Sequence, residues 1–199
     1  RFGRIEEERG IEYWNDENLQ RGPRGHNTNI KMEASASGAT WWMYTAFFGS
    51  HIPITLAIDA QAVLPAFIFP KFLRDLLNWH VEINNDILMG LKPTWFKGIV
   101  WAEVLLQLPF FFVAFWSLLV GKDRTLSLEL CIYASHVVTT MIPILYSFIT
   151  ADTFATEAQR WILLAIYAPY LLIPLHILTY YASQLYIDLK KVHRKGKHE

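Results

Sequence analysis

Four stretches of this chain, residues 34–58, 98–121, 130–151 and 161–187, are apolar almost throughout and together contain a single formal charge, Glu103. At about 1.5 Å of rise per residue, each is long enough as a helix to cross roughly 30 Å of hydrocarbon. The pattern predicts an all-α fold, a four-helix transmembrane bundle forming one membrane domain over residues 38–189. A polar N-terminal extension, residues 1–37, precedes it, and a basic C-terminal tail, residues 190–199, follows. Every span contains proline: Pro53, Pro109, Pro143, and Pro169 with Pro174. Proline removes an amide donor and pushes the helix off the carbonyl one turn back, so each span is expected to kink. Proline-kinked helices in all four spans would bow the bundle open around an intramembrane cavity. An irregular but solid core is the other outcome the same prolines allow.

The longest connection covers residues 59–97. In it, Phe69-Pro70 is followed by Phe72, Leu73, Leu76, Leu77 and His80 or Val81, the i, i+3, i+4 spacing of an amphipathic helix after a proline start. Such a helix lies against the bundle or at the membrane interface. Asn84-Asn85-Asp86 reads as a turn, and Lys92-Pro93-Thr94-Trp95 leads into the second span, with Trp95 and Trp101 near the headgroups.

Composition agrees with a membrane class. The 199 residues are 53% hydrophobic and 15% aromatic, with a mean hydropathy of +0.20, too apolar for an ordinary soluble domain of this size. Residues 1–33, by contrast, carry thirteen formal charges and read either as a solvated tail or as a segment that folds against partner proteins. The chain opens on Arg1 with no initiator Met, as in a processed mature form or an incomplete sequence. The lone Cys131 lies within the third span, so no intramolecular disulfide is expected. Zero formal net charge argues neither for nor against nucleic acid, but with no basic-aromatic module and no zinc-ligand spacing, neither nucleic acid nor a metal is expected, and no cofactor is assigned. An even number of spans puts both termini on one side, which then collects 13 of the 18 Lys and Arg residues. That side is the cytosol, or the matrix if the membrane is the mitochondrial inner one.

Candidate chemistry starts from Glu103. An ionisable group inside a span costs roughly 2.5–3.5 kcal/mol near the helix centre, so it should face a protein interior or cavity. Asp59, at the end of the first apolar run, poses the same question. Glu103 and Gln107 share a helix face, as do Thr55 with Asp59 and His136 with Thr140, while Tyr167 and Tyr170 stand three apart. Converged, these faces make a pocket with apolar walls and a few polar groups; otherwise they satisfy one another and only fix helix packing. Two carboxylates facing one cavity would titrate as a unit and suit a hydrophobic ligand with a single ammonium or hydroxyl.

The residues themselves are distinctive. Ser50-His51-Ile52-Pro53-Ile54-Thr55-Leu56-Ala57-Ile58-Asp59-Ala60-Gln61-Ala62-Val63-Leu64-Pro65 and Glu103-Val104-Leu105-Leu106-Gln107-Leu108-Pro109-Phe110-Phe111 resemble the first two spans of the EXPERA-domain family. Thr139-Thr140-Met141-Ile142-Pro143-Ile144-Leu145 and Tyr167-Ala168-Pro169-Tyr170-Leu171-Leu172-Ile173-Pro174 resemble its third and fourth. The signature is similar to the family's receptor branch rather than its sterol isomerase branch. The resemblance implies a sterol- and amine-accepting cavity inside the bilayer. It implies that Asp59 pairs with a ligand amine, that Asp86 supports it by hydrogen bonding, and that Glu103 lines the pocket. Gln107, Thr140 and Tyr170 complete the expected ligand-binding wall, with His51 beside Asp86 as support and no catalytic residue assigned.

Three functions follow. The first is a non-enzymatic protein binding a sterol, a phospholipid or a cationic amphiphile. The second is a structural accessory subunit of a large membrane assembly such as a mitochondrial respiratory complex, with residues 1–33 contacting neighbours. The third is a sterol double-bond isomerase using Glu103, Asp59 and His136. Membrane lipids and sterols are the expected partners, with a homodimer or a larger complex both open. Lys195-Gly196-Lys197-His198-Glu199 fits a retrieval pattern for the endoplasmic reticulum, with the mitochondrial inner membrane as the alternative address.

Overall fold

The computed structural model describes residues 36–196, apart from the side chain of Lys195. The contacts expected of residues 1–33, most of the N-terminal extension, and Lys197 of the tail motif lie outside the described residues. Among the described residues eight α-helices run in order: α1 (Gly38–Ala57), α2 (Lys71–Asn84), α3 (Ile87–Leu91), α4 (Thr94–Ala102), α5 (Leu108–Leu119), α6 (Ser127–Thr150), α7 (Glu157–Tyr167) and α8 (Pro169–Lys195). No strand occurs among the described residues.

Among the described residues three continuous helical stretches are long and apolar enough to cross a membrane: Thr94–Leu119, Asp123–Thr150 and Glu157–Arg194. Their outer faces are apolar as well, with Leu106, Trp116, Ile132, Ile142 and Trp161 all more than 60% exposed. A water-soluble protein rarely displays such a surface, and lipid accepts it without cost. This is an integral membrane protein. The first expected span differs from the other three. It forms the 20-residue helix α1, but Gly, Ser, Thr and His dilute its hydropathy, and many of its large side chains are turned inward.

The prolines act in two ways. Pro53, Pro143 and Pro174 lie inside continuous helices. Pro109 and Pro169 mark interruptions. Immediately before Pro109, residues Glu103–Gln107 form a π turn, in which the Leu108 N–H donates to the Glu103 carbonyl five residues back. A proline ring clashes with the carbonyl four residues before it, and an extra residue in the turn moves that carbonyl away. At Pro169, α7 ends and α8 begins.

α6 packs along α8, and α1 packs along α5. Between them sits an aromatic core in which Phe48 lies 5.5 Å from Tyr133 and Phe111 lies 5.7 Å from Tyr133, ring to ring. Gly49 lets α1 approach α5 closely, because a Cβ there would stand 2.9 Å from Cε2 of Phe115. Gly49→Leu is therefore expected to overpack this contact and destabilise the protein by about 2 kcal/mol. An unfolding midpoint in detergent equal to that of the wild type would show that the Phe115 ring yields instead.

At one end of the bundle, buried Asp123 accepts from the Ala36 N–H at 3.0 Å and the Tyr181 hydroxyl at 2.6 Å. Beside it, Arg124 pairs with Asp188 at 2.6 Å. These contacts fasten the lead into α1 and the last helix to the α5–α6 connection. At the other end, the proline start at Pro70 opens α2 as expected. Asn85, in the left-handed conformation with φ 52°, ends it, and Asp86 caps α3.

Candidate functional site

A cavity of about 300 Å³ lies inside the bundle, walled by α1, α2, α4, the π turn, α6 and the α7–α8 junction. Ile54, Phe96, Val100, Val137, Met141 and Ile144 give it apolar sides. Among its polar groups are six put forward from the sequence, by pattern or by resemblance: His51, Asp59, Glu103, Gln107, Thr140 and Tyr170 all line it, together with His80 and Tyr167. His136, expected on the same face as Thr140, is instead exposed on the outer side of α6. Thr140 reaches the cavity while its hydroxyl donates back to the Val137 carbonyl at 3.0 Å.

The carboxylates gather at one end. Thr55 donates to Glu103 Oε1 at 2.6 Å, and His51 Nε2 lies 3.5 Å from the same oxygen. One ligand atom each from His51, Asp59 and Glu103 falls within 4.8 Å of the others. Asp59 stands just past the end of α1, in a 3₁₀ turn over Asp59–Ala62, so it does not continue the helical face of Thr55. The two meet nevertheless, because the turn folds Asp59 back towards Glu103. Like charges this close in an apolar surround repel strongly. A proton or a ligand ammonium between them removes that repulsion. One imidazole and two carboxylates are also a donor set for a divalent cation, although Glu103 Oε1 is already engaged by Thr55.

Aromatic rings hold this arrangement in place. His51 stacks on Phe111 with centroids 4.5 Å apart and meets Tyr170 edge-on at 4.8 Å. The Glu103–Gln107 π turn keeps both residues on the cavity side, since residues four apart lie close to one face in either an α or a π register.

Asp86 does not line the cavity. It is fully buried behind it, and its Oδ1 caps α3 by accepting from the Leu88 and Met89 N–H groups, each at 3.0 Å. Its Oδ2 accepts from the Tyr167 hydroxyl at 2.8 Å and faces His80 Nε2 at 3.2 Å. His80 Nδ1 then takes the Asn84 amide at 3.1 Å. Both His80 and Tyr167 line the cavity, so Asp86 fixes two of its polar wall groups without entering it. Sequence reasoning placed His80 only as a helix-face position and Tyr167 only as a companion of Tyr170. Their common partner lies 6 residues from one and 81 from the other, a pairing no local spacing reveals.

Comparison with known proteins agrees with this architecture. The family model for EBP, described as EXPERA (EXPanded EBP superfamily), matches residues 72–181. The chain belongs to the EXPERA family. It is 41% identical over 162 residues to the sigma intracellular receptor 2 of Xenopus tropicalis, covering 77% of this chain and 95% of that one. The human sigma intracellular receptor 2 is 36% identical over 164 residues, covering 77% and 93%. A Saccharomyces cerevisiae protein, efficient mitochondria targeting-associated protein 19, is 34% identical over 148 residues, covering 67% and 92%. Within the family the chain is of the sigma-2 receptor type. The family match begins after Asp59 and includes Asp86, Glu103, Gln107, Thr140 and Tyr170.

Proposed function

We propose that this is a non-enzymatic four-span membrane protein that holds a sterol or another lipid, or a cationic amphiphile, in the cavity between its helices. The observation that carries the reading is the make-up of that cavity: largely apolar walls with a few polar groups, and Asp59 and Glu103 close together among them. Its volume is at the lower end of the range for small-ligand sites. An apolar body would displace nothing but hydrocarbon or weakly held water from the walls, and one ammonium or hydroxyl would satisfy the carboxylate end. α1 serves as the fourth span, its Thr55 and His51 turned to the site rather than to lipid. The sterol isomerase reading needs a proton donor and a base on opposite faces of the substrate. With His136 turned outward, the remaining carboxylates sit together at one end, which favours binding over proton shuttling. Asp86 supports the wall through His80 and Tyr167, and the termini face the cytosol from the endoplasmic reticulum membrane.

A photoactivatable sterol probe tests this on the intact protein. Labelling is expected on peptides that contain Val137–Ile144 and Glu103–Gln107. Filling the cavity with Thr140→Trp should reduce labelling by about tenfold, as overpacking removes the space the ligand occupies. Labelling confined to the outer faces of α5 and α6, unaffected by Thr140→Trp, would defeat the proposal. Fractionation of the native protein distinguishes the endoplasmic reticulum from the mitochondrial inner membrane.

A further inference from the structure

A second depression, of about 440 Å³, lies on the other side of α2 from the cavity. Leu76, Trp79 and His80 of α2 face the cavity, whereas Lys71, Arg74, Asp75 and Asn78 line the depression at i, i+3, i+4, i+7 spacing. Lys92 reaches it from the turn after α3, where its backbone is left-handed at φ 49°. Three cations and one carboxylate therefore share a small groove.

The groove is built rather than incidental. Gln61, buried at its floor, donates from Nε2 to the carbonyls of Ala57 at 2.6 Å and Leu73 at 3.1 Å. Its own carbonyl accepts from Lys92 Nζ at 2.8 Å, which ties the end of α1, helix α2 and the α3–α4 turn together. Burial, with the Lys97 ammonium adding to it, holds the Lys92 ammonium below the usual lysine range, so an anion here would be welcome. Lys71 is engaged by Asp75 at 2.6 Å on the exposed rim. Arg74 has no carboxylate partner among the described residues, and its Nε is buried without a hydrogen bond. The groove thus offers an uncommitted guanidinium beside a partly used ammonium, a pairing suited to a phosphate.

What lies beside the groove identifies the source of the phosphate. Ala66, on its wall, is followed by Phe67 and Ile68, whose side chains are 85% and 52% exposed. A free phosphate has no use for them. Large apolar groups next to cations, on an amphipathic helix between two spans, are the two halves of a lipid site at the membrane interface. We propose that this groove binds the headgroup phosphate of an anionic phospholipid, with Arg74 and Lys92 on the phosphate and the acyl chains over Phe67 and Ile68. The site is separate from the intramembrane cavity and does not depend on what occupies it.

Native mass spectrometry of the full-length protein, with short-chain phosphatidylserine, phosphatidylcholine or inorganic phosphate as probe, tests the assignment. Phosphatidylserine should bind more tightly than phosphatidylcholine, and Arg74→Gln should weaken it about fivefold, the scale of one basic group at an anionic lipid. Arg74→Lys should restore most of that loss. Asp75→Asn, which releases Lys71 and removes a negative charge, should tighten binding. Equal affinity for the two lipids, or an Arg74→Gln protein as strong as the wild type, would overturn the proposal. So would inorganic phosphate binding as tightly as the lipid, since the apolar residues would then contribute nothing.

Discussion

Asp86→Ala is expected to lose about 3–5 kcal/mol of stability, more than any other single polar substitution in the described region. The carboxylate is fully buried and collects the cap of α3, the Tyr167 hydroxyl and the His80 ring. Removing it leaves those donors inside the protein without acceptors, and three segments lose the point at which they meet. Asp86→Asn should cost less, about 1–2 kcal/mol, because a carbonyl oxygen still caps α3 while the amide faces the Tyr167 hydroxyl and His80. Tyr167→Phe should cost about 1.5–2 kcal/mol, one hydrogen bond to a buried carboxylate being lost while that oxygen keeps His80. Unfolding in detergent, followed by tryptophan fluorescence, gives the order. A protein with Ala at this position that melts within a degree or so of the wild type would mean that water replaces the carboxylate, contrary to its complete burial.

That result would separate two meanings of support. By resemblance, Asp86 helps a ligand-binding aspartate, and the geometry gives the help a route. It passes through the cavity-wall residues His80 and Tyr167, not through Asp59 directly. Ligand affinity in Asp86→Asn should therefore fall together with the ordering of α2 and α7, whereas a direct ligand contact would lower affinity at unchanged stability.

How much of this was written in the chain depends on range. Helix α2 was legible because a proline, an apolar row and an Asn-Asn-Asp turn lie within one short segment. Glu103 and Gln107 were legible on energetic grounds, since a carboxylate in a lipid-length helix must find an interior. The convergence of Glu103 with Asp59 was only a possibility, because it depends on the 3₁₀ turn after Ala57, and no periodicity describes that turn. The π turn before Pro109 was expected as a kink, yet its form depends on how the helix accommodates the ring. The Asp86 network was hidden because its contacts are set by tertiary packing. His136, paired with Thr140 by spacing but as readily a packing residue, is exposed, while Thr140 reaches the cavity.

The carboxylate end of the cavity leads to the second large effect. Asp59→Asn is expected to weaken binding of a cationic amphiphile by about 2–5 kcal/mol, at least roughly thirtyfold, and to leave the fold intact. An ammonium in the cavity has surrendered its water, and its principal compensation is the carboxylate pair at this end. Glu103 is tied to Thr55 at 2.6 Å and flanked by His51, and Asp59 is in hydrogen-bond contact with both Thr55 and Glu103, so Asp59→Asn removes one of the two carboxylates an ammonium would meet. Neutralising Asp59 also removes its repulsion from Glu103, so the unliganded protein should lose little stability or gain some. A neutral sterol provides the control. It makes no ion pair, so its affinity should change by less than about 1 kcal/mol, the worth of one ordinary hydrogen bond. Glu103→Gln should impair both ligand classes to a smaller degree, because it disturbs the Thr55 and His51 contacts that shape the site. Paired titrations of a hydrophobic amine and a neutral sterol against the wild type and Asp59→Asn decide the matter. Equal loss of both ligands would make Asp59 a structural residue, and undiminished amine binding would remove it from the site altogether.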